Sequence, residues 1–329
     1  MQVIDAKTLM RRTGLTSYHE PALPMHNCPT PEGVREYLKQ SNERLVYLQA
    51  KYSRVSAAAM NHSQWRREYI MREIDLEHFR ADSAYMWQRR DFNFPINYLC
   101  TYYYIKQSAY GRLLELCTED KLFGIQAIEL GDQVITRDRL DSVCELSFLQ
   151  MALELKQKSR LRILDIGSGY GRFAHRAVQC FPSMRVLCAD AIPESSFLCE
   201  FYLRFRGVDR SAKIVELHEL TATTISENRV DLAVAINSLS ECSASAISWW
   251  LELLAESKVR YLFFIPHSGY EGGKLSFSAE INCADPADIM QLIHRHGYKV
   301  IVSMPKYDNP LLQDCGVSPS YHYLFERQR

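Results

Sequence analysis

The sequence has none of the paired cysteines that mark a disulfide framework or a zinc site. Its ten cysteines are scattered along 329 residues, no two form a C-x-x-C pair, and several lie in apolar stretches such as RVLCAD. Thiols in such positions are typically buried and reduced. We therefore expect neither a disulfide framework nor a structural metal.

An excess of charge of one sign and a long apolar run are also missing. Lysine plus arginine equals aspartate plus glutamate, 39 against 39, so no global field attracts a nucleic acid or an anionic membrane. No run approaches the ~18 apolar residues of a membrane-spanning helix, and the opening MQVIDAKTLMRRTG lacks an apolar signal region. We expect a cytoplasmic protein that acts on a small molecule, with no nucleic acid or membrane partner. The sequence does not predict the oligomeric state, and a homo-oligomer is one of the alternatives.

The first part of the chain has a mainly helical pattern. Residues 1–29 contain three prolines and no clear period, which predicts an irregular arm. Helices are predicted at 30–52, 75–90, 97–120 and 138–158, and a hairpin at 122–136. The pattern predicts a mainly helical N-terminal domain at 1–137, which would form a lid over a substrate site.

From residue 161 onward, apolar strand-like runs alternate with helical stretches. The predicted strands are LRILDIG, RVLCADA, AKIVELH, VDLAVAIN, VRYLFFIP, YKVIVSMP and YHYLFERQ. Such alternation is typical of an α/β domain with helices on both faces of the sheet. We predict a Rossmann-like domain at 138–329 with a mostly parallel seven-stranded sheet. Its last strand should be antiparallel, at or near the edge.

The first of these strands leads through an acidic residue into three alternate glycines. Asp165, Gly167, Gly169 and Gly171 form the pattern D-x-G-x-G-x-G. A dinucleotide fingerprint needs its third glycine at position 172, which is Arg172, and the carboxylate would repel a pyrophosphate. The same carboxylate suits a cationic amino acid group. The pattern favours a nucleotide-like cofactor at the carboxyl ends of the first two strands, where open α/β sheets bind ligands.

This half of the chain resembles the class I S-adenosylmethionine-dependent methyltransferases. The resemblance implies that S-adenosylmethionine is the cofactor, with Asp165 and the backbone of Gly167 and Gly169 beside its methionine and ribose, and Gly171 at the helix start. Asp190, at the end of the second strand, would accept hydrogen bonds from both ribose hydroxyls. The other implied contacts are those of Ala191 and Ile192 with the adenine, and of Asn237 and Ser238 with the substrate or the methionine end. The alternative is a Rossmann-like sheet whose tight turn binds no ligand.

Longer strings resemble a narrower family, bacterial proteins described as sugar O-methyltransferases. They extend from about residue 75 to about residue 270 and include FRADSAYMWQ, FGIQAIELGDQVITRDRLDSVCELSFL, DAIPESSFLCEFYLRFRG, NSLSECSASAISWWLELL and LFFIPHS. The chain departs from that family at Asn237, where a histidine is more usual. A base at that position is therefore not implied.

Methyl transfer to a hydroxyl needs a base that takes the proton of the nucleophile. Glu241 is the first candidate and His267, at the tip of the fifth strand, is the second, while Asn237 would orient the substrate. Each base candidate has a structural alternative, because Glu241 would suit the dipole of the following helix and His267 would suit a surface loop. His175 and Arg176, inside the helix that follows the glycine loop, are interpreted as structural residues.

A sugar site is predicted in the helical part. Asp82, Tyr85 and Arg89 share one face of a predicted helix, and nine aromatic residues, Tyr102 among them, lie between 85 and 110. Their rings would stack on a sugar, although aromatic stripes are also typical of a core. We expect substrate contacts from these four residues.

Three functions stay open on the sequence alone. The first is an S-adenosylmethionine-dependent methyltransferase that acts on a hydroxyl of a sugar or glycosylated metabolite. The second keeps the cofactor but methylates a carbon or nitrogen of a natural product or peptide. The third is a binding protein that keeps the fold without catalysis. No metal is expected, because Glu241 is the lone carboxylate in the stretch after the fourth strand.

Overall fold

The computed structural model describes residues 30–56, 58, 65, 67–81, 85, 94–267, 269–271, 274–276 and 286–328. The predicted arm at 1–29 and the predicted substrate residues Asp82 and Arg89 lie outside them. None of the helices in these ranges is long and apolar enough to cross a membrane. The eight cysteines within them are free, and six of the eight are buried.

The N-terminal part is built mainly of helices and ends in a hairpin. Its elements are α1 (Val34–Tyr37), α2 (Glu43–Tyr52), α3 (Arg67–Glu73), α4 (Phe94–Gln107), α5 (Gly111–Leu116), β1 (Ala127–Leu130) and β2 (Gln133–Thr136). Strands β1 and β2 pair antiparallel across a two-residue turn. Gly131 in that turn has a φ of +61°, which glycine adopts without strain. The predicted hairpin is confirmed.

Strands and helices then alternate to the end of the chain. The elements are α6 (Arg137–Ala152), β3 (Arg162–Ile166), α7 (Arg172–Cys180), β4 (Arg185–Ala189), α8 (Pro193–Phe205), β5 (Ala212–Ile214), α9 (Ala222–Glu227), β6 (Leu232–Ile236), α10 (Ala244–Glu256), β7 (Tyr261–Ile265), β8 (Gly269–Glu271), β9 (Lys274–Ser276), α11 (Pro286–Arg295), β10 (Tyr298–Pro305), α12 (Pro310–Cys315) and β11 (Tyr321–Arg327). Short 3₁₀ turns lie at Leu217–Glu219 and Ser238–Glu241. The predicted alternation is confirmed.

Seven of these strands form the central sheet, in the order β10-β11-β7-β6-β3-β4-β5. Strands β7, β6, β3, β4 and β5 pair in parallel, whereas β11 is antiparallel to both β7 and β10. The Rossmann-like, mostly parallel seven-stranded sheet is therefore confirmed, with its antiparallel last strand second from one edge. The parallel arrangement gathers the carboxyl ends of β3, β4, β6 and β7 at one edge.

Buried side chains cover both faces of the sheet, and some of them belong to the N-terminal helices. Alternate residues of β3 enter different clusters, with Leu164 on one face and Ile163 on the other. Helix α2 joins the first cluster through Leu45 and Leu48, and α4 joins the second through Tyr98. The described helices before residue 137 therefore share the core of the sheet. The domain boundary at 137/138, which falls at the start of α6, stays a prediction.

Three predicted helices have different bounds. The helix predicted at 97–120 is divided into α4 (Phe94–Gln107) and α5 (Gly111–Leu116). The helix predicted at 30–52 is divided into α1 and α2, because Asn42 accepts a hydrogen bond from the backbone N–H of Arg44 at 2.9 Å and begins a new helix. The helix predicted to reach Lys158 ends at Ala152. Glu154 follows with a φ of +50°, a left-handed conformation that turns the chain toward β3.

The helix predicted at 75–90 is wrong for the residues described there. Residues 76–81 form bends and turns, and the Asp75 carboxylate accepts hydrogen bonds from the backbone N–H groups of Glu77 and His78 at 2.9 and 3.1 Å. Such local side-chain bonds compete with helix formation. Tyr85 lies in a bend, so its predicted position on a helical face is wrong as well.

Candidate functional site

The glycine loop after β3 uses three left-handed backbone conformations. Gly167, Gly169 and Gly171 have φ values of +68°, +54° and +85°. A Cβ atom on Gly167 would lie 2.3 Å from the Cβ of Ser238, and one on Gly171 would lie 2.9 Å from the Sγ of Cys199. The first approach brings the segment after β6 onto the end of β3, and the second packs the start of α7 against α8. Glycine is therefore required by both conformation and space.

Asp190, directly after β4, ties its strand to the glycine loop. One carboxylate oxygen accepts a hydrogen bond from the backbone N–H of Gly169 at 2.9 Å, and the other accepts one from the N–H of Ile192 at 2.8 Å. Burial raises the pKa of Asp190 to about 7, although both backbone donors act to lower it. The tips of β3 and β4 thus form one polar surface.

Asp165, near the end of β3, is a buried carboxylate that is incompletely satisfied. It is 3% exposed, and its Oδ2 has no hydrogen-bond partner among the described residues. Burial raises the pKa of Asp165 to about 7, with Arg172 acting in the opposite direction. Since buried polar atoms almost always have partners, this oxygen is suited to a ligand that donates a hydrogen bond.

A cavity of about 350 Å³ lies at the carboxyl edge of the sheet. Eight of the nine predicted cofactor residues line it, namely Asp165, Gly167, Gly169, Asp190, Ala191, Ile192, Asn237 and Ser238. Gly171 lies outside the lining and precedes the first residue of α7. The residues that the sequence pattern predicted as cofactor contacts therefore lie together around one cavity.

Both predicted base candidates line this cavity and are bonded to each other. Nε2 of His267 lies 2.6 Å from Oε1 of Glu241. Glu241 ends the 3₁₀ turn after β6, His267 follows β7, and Ser240 Oγ accepts a hydrogen bond from the His267 backbone N–H at 3.1 Å. The side chain of His267 is 26% exposed and that of Glu241 12%. Asn237, also in the lining, begins the turn with a φ of +63°, which asparagine tolerates better than most residues.

Aromatic side chains from the N-terminal part complete the wall. Tyr85 and Tyr98 line the cavity together with Asn97 and Trp65. Tyr102, one helical turn beyond Tyr98, is 3% exposed in the hydrophobic core and does not line the cavity. Its predicted substrate contact does not fit that position.

Charged side chains at the α6 side of the cavity are paired. Arg172 donates to both carboxylate oxygens of Glu145 at 2.8 and 2.9 Å. Asp141 accepts from Lys306 at 2.5 Å and from Arg137 at 3.0 Å. Among the described residues, the lining holds five carboxylates (Asp141, Glu145, Asp165, Asp190, Glu241) and three cationic side chains (Arg137, Arg172, Lys306). The excess of two carboxylates favours a cationic ligand.

Several lining residues were not predicted from the sequence. Lys306 directly follows β10, which has the same direction as β7 because both strands pair antiparallel with β11. Its position at the carboxyl end of that strand was therefore a usable signal. His322 is 2% exposed, and burial lowers its pKa to about 3. Trp65 and Glu145 belong to no motif, and their contribution depends on contacts across the fold.

His175 and Arg176 lie away from the cavity, in buried contacts. Burial lowers the pKa of His175 well below its usual value, and its ring lies 3.3 Å from the Tyr202 hydroxyl. Arg176 donates a hydrogen bond to Asp138 at 2.8 Å. Burial raises the pKa of Asp138, but the charges of Arg176 and Arg80 outweigh this effect and hold that pKa well below its usual range. Both residues occupy structural positions.

No cluster of three or more histidine, cysteine, aspartate or glutamate side chains suited to a metal occurs in the described part of the chain.

Comparisons with known proteins place the chain beside several solved structures of low similarity. Neither the protein-family models nor the curated proteins gave a match. A SAM-dependent methyltransferase from Aquifex aeolicus is 15% identical, with 54% of this chain and 88% of that chain covered and a TM-score of 0.40. Mitomycin 7-O-methyltransferase MmcR is 15% identical over 73% of this chain and 69% of its own, with a TM-score of 0.41.

A third neighbour is named as a cyclase and not as a methyltransferase. The [4+2]-cyclase SpnF is 14% identical, with 57% of this chain and 82% of that chain covered and a TM-score of 0.41. At such identities and TM-scores these similarities do not identify a reaction. Function must therefore be inferred from the cavity of this chain.

Proposed function

We propose that this chain is an S-adenosylmethionine-dependent methyltransferase that acts on a hydroxyl of a sugar or glycosylated small metabolite. The observation that carries the proposal is the Oδ2 of Asp165, which is buried in the cavity wall beside the glycine loop and has no hydrogen-bond partner in the part of the chain that the structure describes. A positively charged donor would satisfy this oxygen and offset the excess of carboxylates. The ammonium and sulfonium groups of S-adenosylmethionine supply such charge.

The residues at the two strand tips fit a nucleoside with an amino acid group. Asp165 would accept from the ammonium group. Asp190 already accepts one backbone N–H on each oxygen, but a carboxylate oxygen has two acceptor positions, so both oxygens can also take a ribose hydroxyl. Ala191 and Ile192 offer buried apolar surface for the adenine, and Gly167 and Gly169 let the backbone approach the ligand.

The Glu241 and His267 pair supports chemistry on a hydroxyl. When bound, the cofactor would supply an electrophilic methyl group, and a neutral hydroxyl must lose its proton to attack it. We assign His267 as the group that takes this proton, because its side chain is the more exposed of the two. Glu241, 2.6 Å away, would stabilise the imidazolium that forms. Asn237 lies in the same wall and would orient the acceptor.

The wall of the cavity supports an acceptor with both apolar and polar faces. Tyr85 and Tyr98 offer ring surface, and Asn97 and Ser195 offer hydrogen-bonding groups. Sugars present CH-rich faces to aromatic rings and hydroxyls to polar side chains. This combination favours a sugar over a purely apolar acceptor.

Mass spectrometry tests the proposal in two stages. The first identifies any ligand that co-purifies with the protein, and S-adenosylmethionine or its demethylated product is expected. The second incubates the protein with S-adenosylmethionine and a panel of nucleotide-activated sugars, and one of them should gain a methyl group. Cofactor binding without methylation of any hydroxyl would contradict the acceptor class and favour a carbon or nitrogen acceptor or a non-catalytic role.

A further inference from the structure

Trp65, a residue of the N-terminal part, is hydrogen-bonded to Glu241, one of the two predicted catalytic bases. Its indole Nε1–H donates to Oε2 of Glu241 at 2.5 Å. The other oxygen of the same carboxylate, Oε1, lies 2.6 Å from Nε2 of His267. Glu241 is therefore held between the two rings, with one carboxylate oxygen directed to each.

The indole itself is fixed by other aromatic rings. It stacks on Tyr85 with ring centroids 5.8 Å apart and planes 30° apart, and it meets Tyr69 edge-on at 5.5 Å. Tyr85 is held in turn, since its hydroxyl lies 3.1 Å from Ser195 Oγ and its ring packs against the position of Gly169. A donor fixed in this way directs a carboxylate more closely than water would.

We propose that Trp65 is a positioning residue for the Glu241 and His267 pair, acting through the carboxylate of Glu241. The inference rests on the proposed function and extends it, because it gives the N-terminal part a role at the reacting end of the cavity. With Oε2 held by the indole, Oε1 stays directed at His267, and the imidazole keeps one orientation. A hydrogen bond from N–H to a carboxylate is charge-assisted and therefore strong for its type.

The contact can be tested by NMR without an acceptor. The indole N–H signals come from four tryptophans, and Trp65→Phe identifies the signal of Trp65 by its loss. In a second variant, which keeps Trp65, Glu241→Gln replaces a charged acceptor by a neutral one, so the indole N–H signal of Trp65 should move upfield. This variant leaves the Trp65 aromatic contacts in place. An unmoved Trp65 signal would overturn the inference.

The positioning role is tested on the ring of His267. Trp65→Phe keeps a ring beside Tyr85 but removes the donor, and the side-chain signals of His267 should shift. The matched control is Trp249→Phe, because Trp249 packs edge-on against Trp250 in α10 and does not line the cavity. That control should leave His267 unchanged. Equal spectra of His267 in wild type and Trp65→Phe would overturn the proposal.

Turnover separates this inference from the function on which it rests. With the nucleotide-activated sugar that gains a methyl group, Trp65→Phe should lower kcat about 10- to 100-fold, the scale of a misplaced catalytic group. The KM for S-adenosylmethionine should stay within about twofold, because no cofactor contact is assigned to Trp65. An unchanged kcat overturns the inference alone. Failure of the wild type to bind S-adenosylmethionine overturns the proposed function and the inference together.

Discussion

The carboxylate of Asp190 accepts the backbone N–H of Gly169 at 2.9 Å, so the end of strand β4 holds the loop that follows strand β3. This bond fixes the spacing of the two strand tips before any ligand arrives. A nucleoside that contacts Asp190 therefore meets a glycine loop that is already positioned. Preorganisation of this kind lowers the cost of binding.

Replacement of Asp190 should weaken cofactor binding strongly. Asp190→Ala removes the acceptor for the ribose hydroxyls and also releases Gly169 from its hydrogen bond. Hydrogen bonds to a charged group contribute about 1.5–3 kcal/mol each, so the Kd for S-adenosylmethionine should rise at least ~10-fold. Calorimetric titration measures this change. An unchanged Kd would contradict the ribose assignment.

Gly167→Ala should destabilise the fold through one identifiable clash. The new Cβ would lie 2.3 Å from the Cβ of Ser238, and the φ of +68° disfavours alanine. The expected cost is about 2–4 kcal/mol, measured by denaturant unfolding. Ser238→Gly by itself loses the hydrogen bond from Ser238 Oγ to the Ile166 carbonyl at 2.6 Å, so the cost of the alanine is measured in both backgrounds. Gly167→Ala should cost less in the Ser238→Gly protein than in the wild type, because the clash is absent there. Equal costs in the two backgrounds would show that the clash is not the cause.

The contribution of Asp165 to the stability of the ligand-free protein should become less favourable as pH rises toward 7. Asp165 has an ordinary pKa of 3.8, and burial raises its pKa to about 7 in the folded state. Between these values the unfolded chain loses the proton while the folded chain keeps it, so folding becomes less favourable with increasing pH. Asp165→Asn removes this penalty. Its Tm should exceed that of the wild type at pH 8, with a smaller difference at pH 4; equal differences at both would contradict the assignment.

Binding of S-adenosylmethionine near pH 7 should release protons. Burial raises the pKa of both Asp165 and Asp190 to about 7, and a cationic ligand beside them favours their ionised forms. The measured binding enthalpy should therefore depend on the ionisation enthalpy of the buffer. Titrations in phosphate and in Tris at pH 7 provide the comparison. Equal enthalpies in the two buffers would contradict proton release.

Much of the cofactor side could be predicted from the sequence because short-range patterns determine it. Asp165 and Asp190 each lie near the end of an apolar run, and parallel strands bring their carboxyl ends to one edge. The spacing of Gly167, Gly169 and Gly171 predicted the glycine loop after β3 directly. These features depend on local order along the chain and on one rule of topology.

The acceptor side could be predicted only in part, because much of it depends on contacts between distant parts of the chain. Trp65 and Glu241 are separated by 176 positions, and no periodicity connects them. Tyr98 and Tyr102 lie one turn apart on a helix with apolar residues on several sides, so the pattern does not show which ring lines the cavity. The predicted helix at 75–90 failed at its start because Asp75 forms local hydrogen bonds with Glu77 and His78 that favour a turn, and Tyr85 lies in a bend.

The most direct test of the central claim is a calorimetric titration of S-adenosylmethionine into three proteins. They are the wild type, Asp165→Asn and the control Asp209→Asn, whose side chain is exposed in the segment between α8 and β5. We predict binding by the wild type and the control with equal Kd, and a Kd at least ~10-fold higher for Asp165→Asn, since a hydrogen bond to a charged group is lost. Absence of binding by the wild type, or equal affinity in all three, would contradict the account.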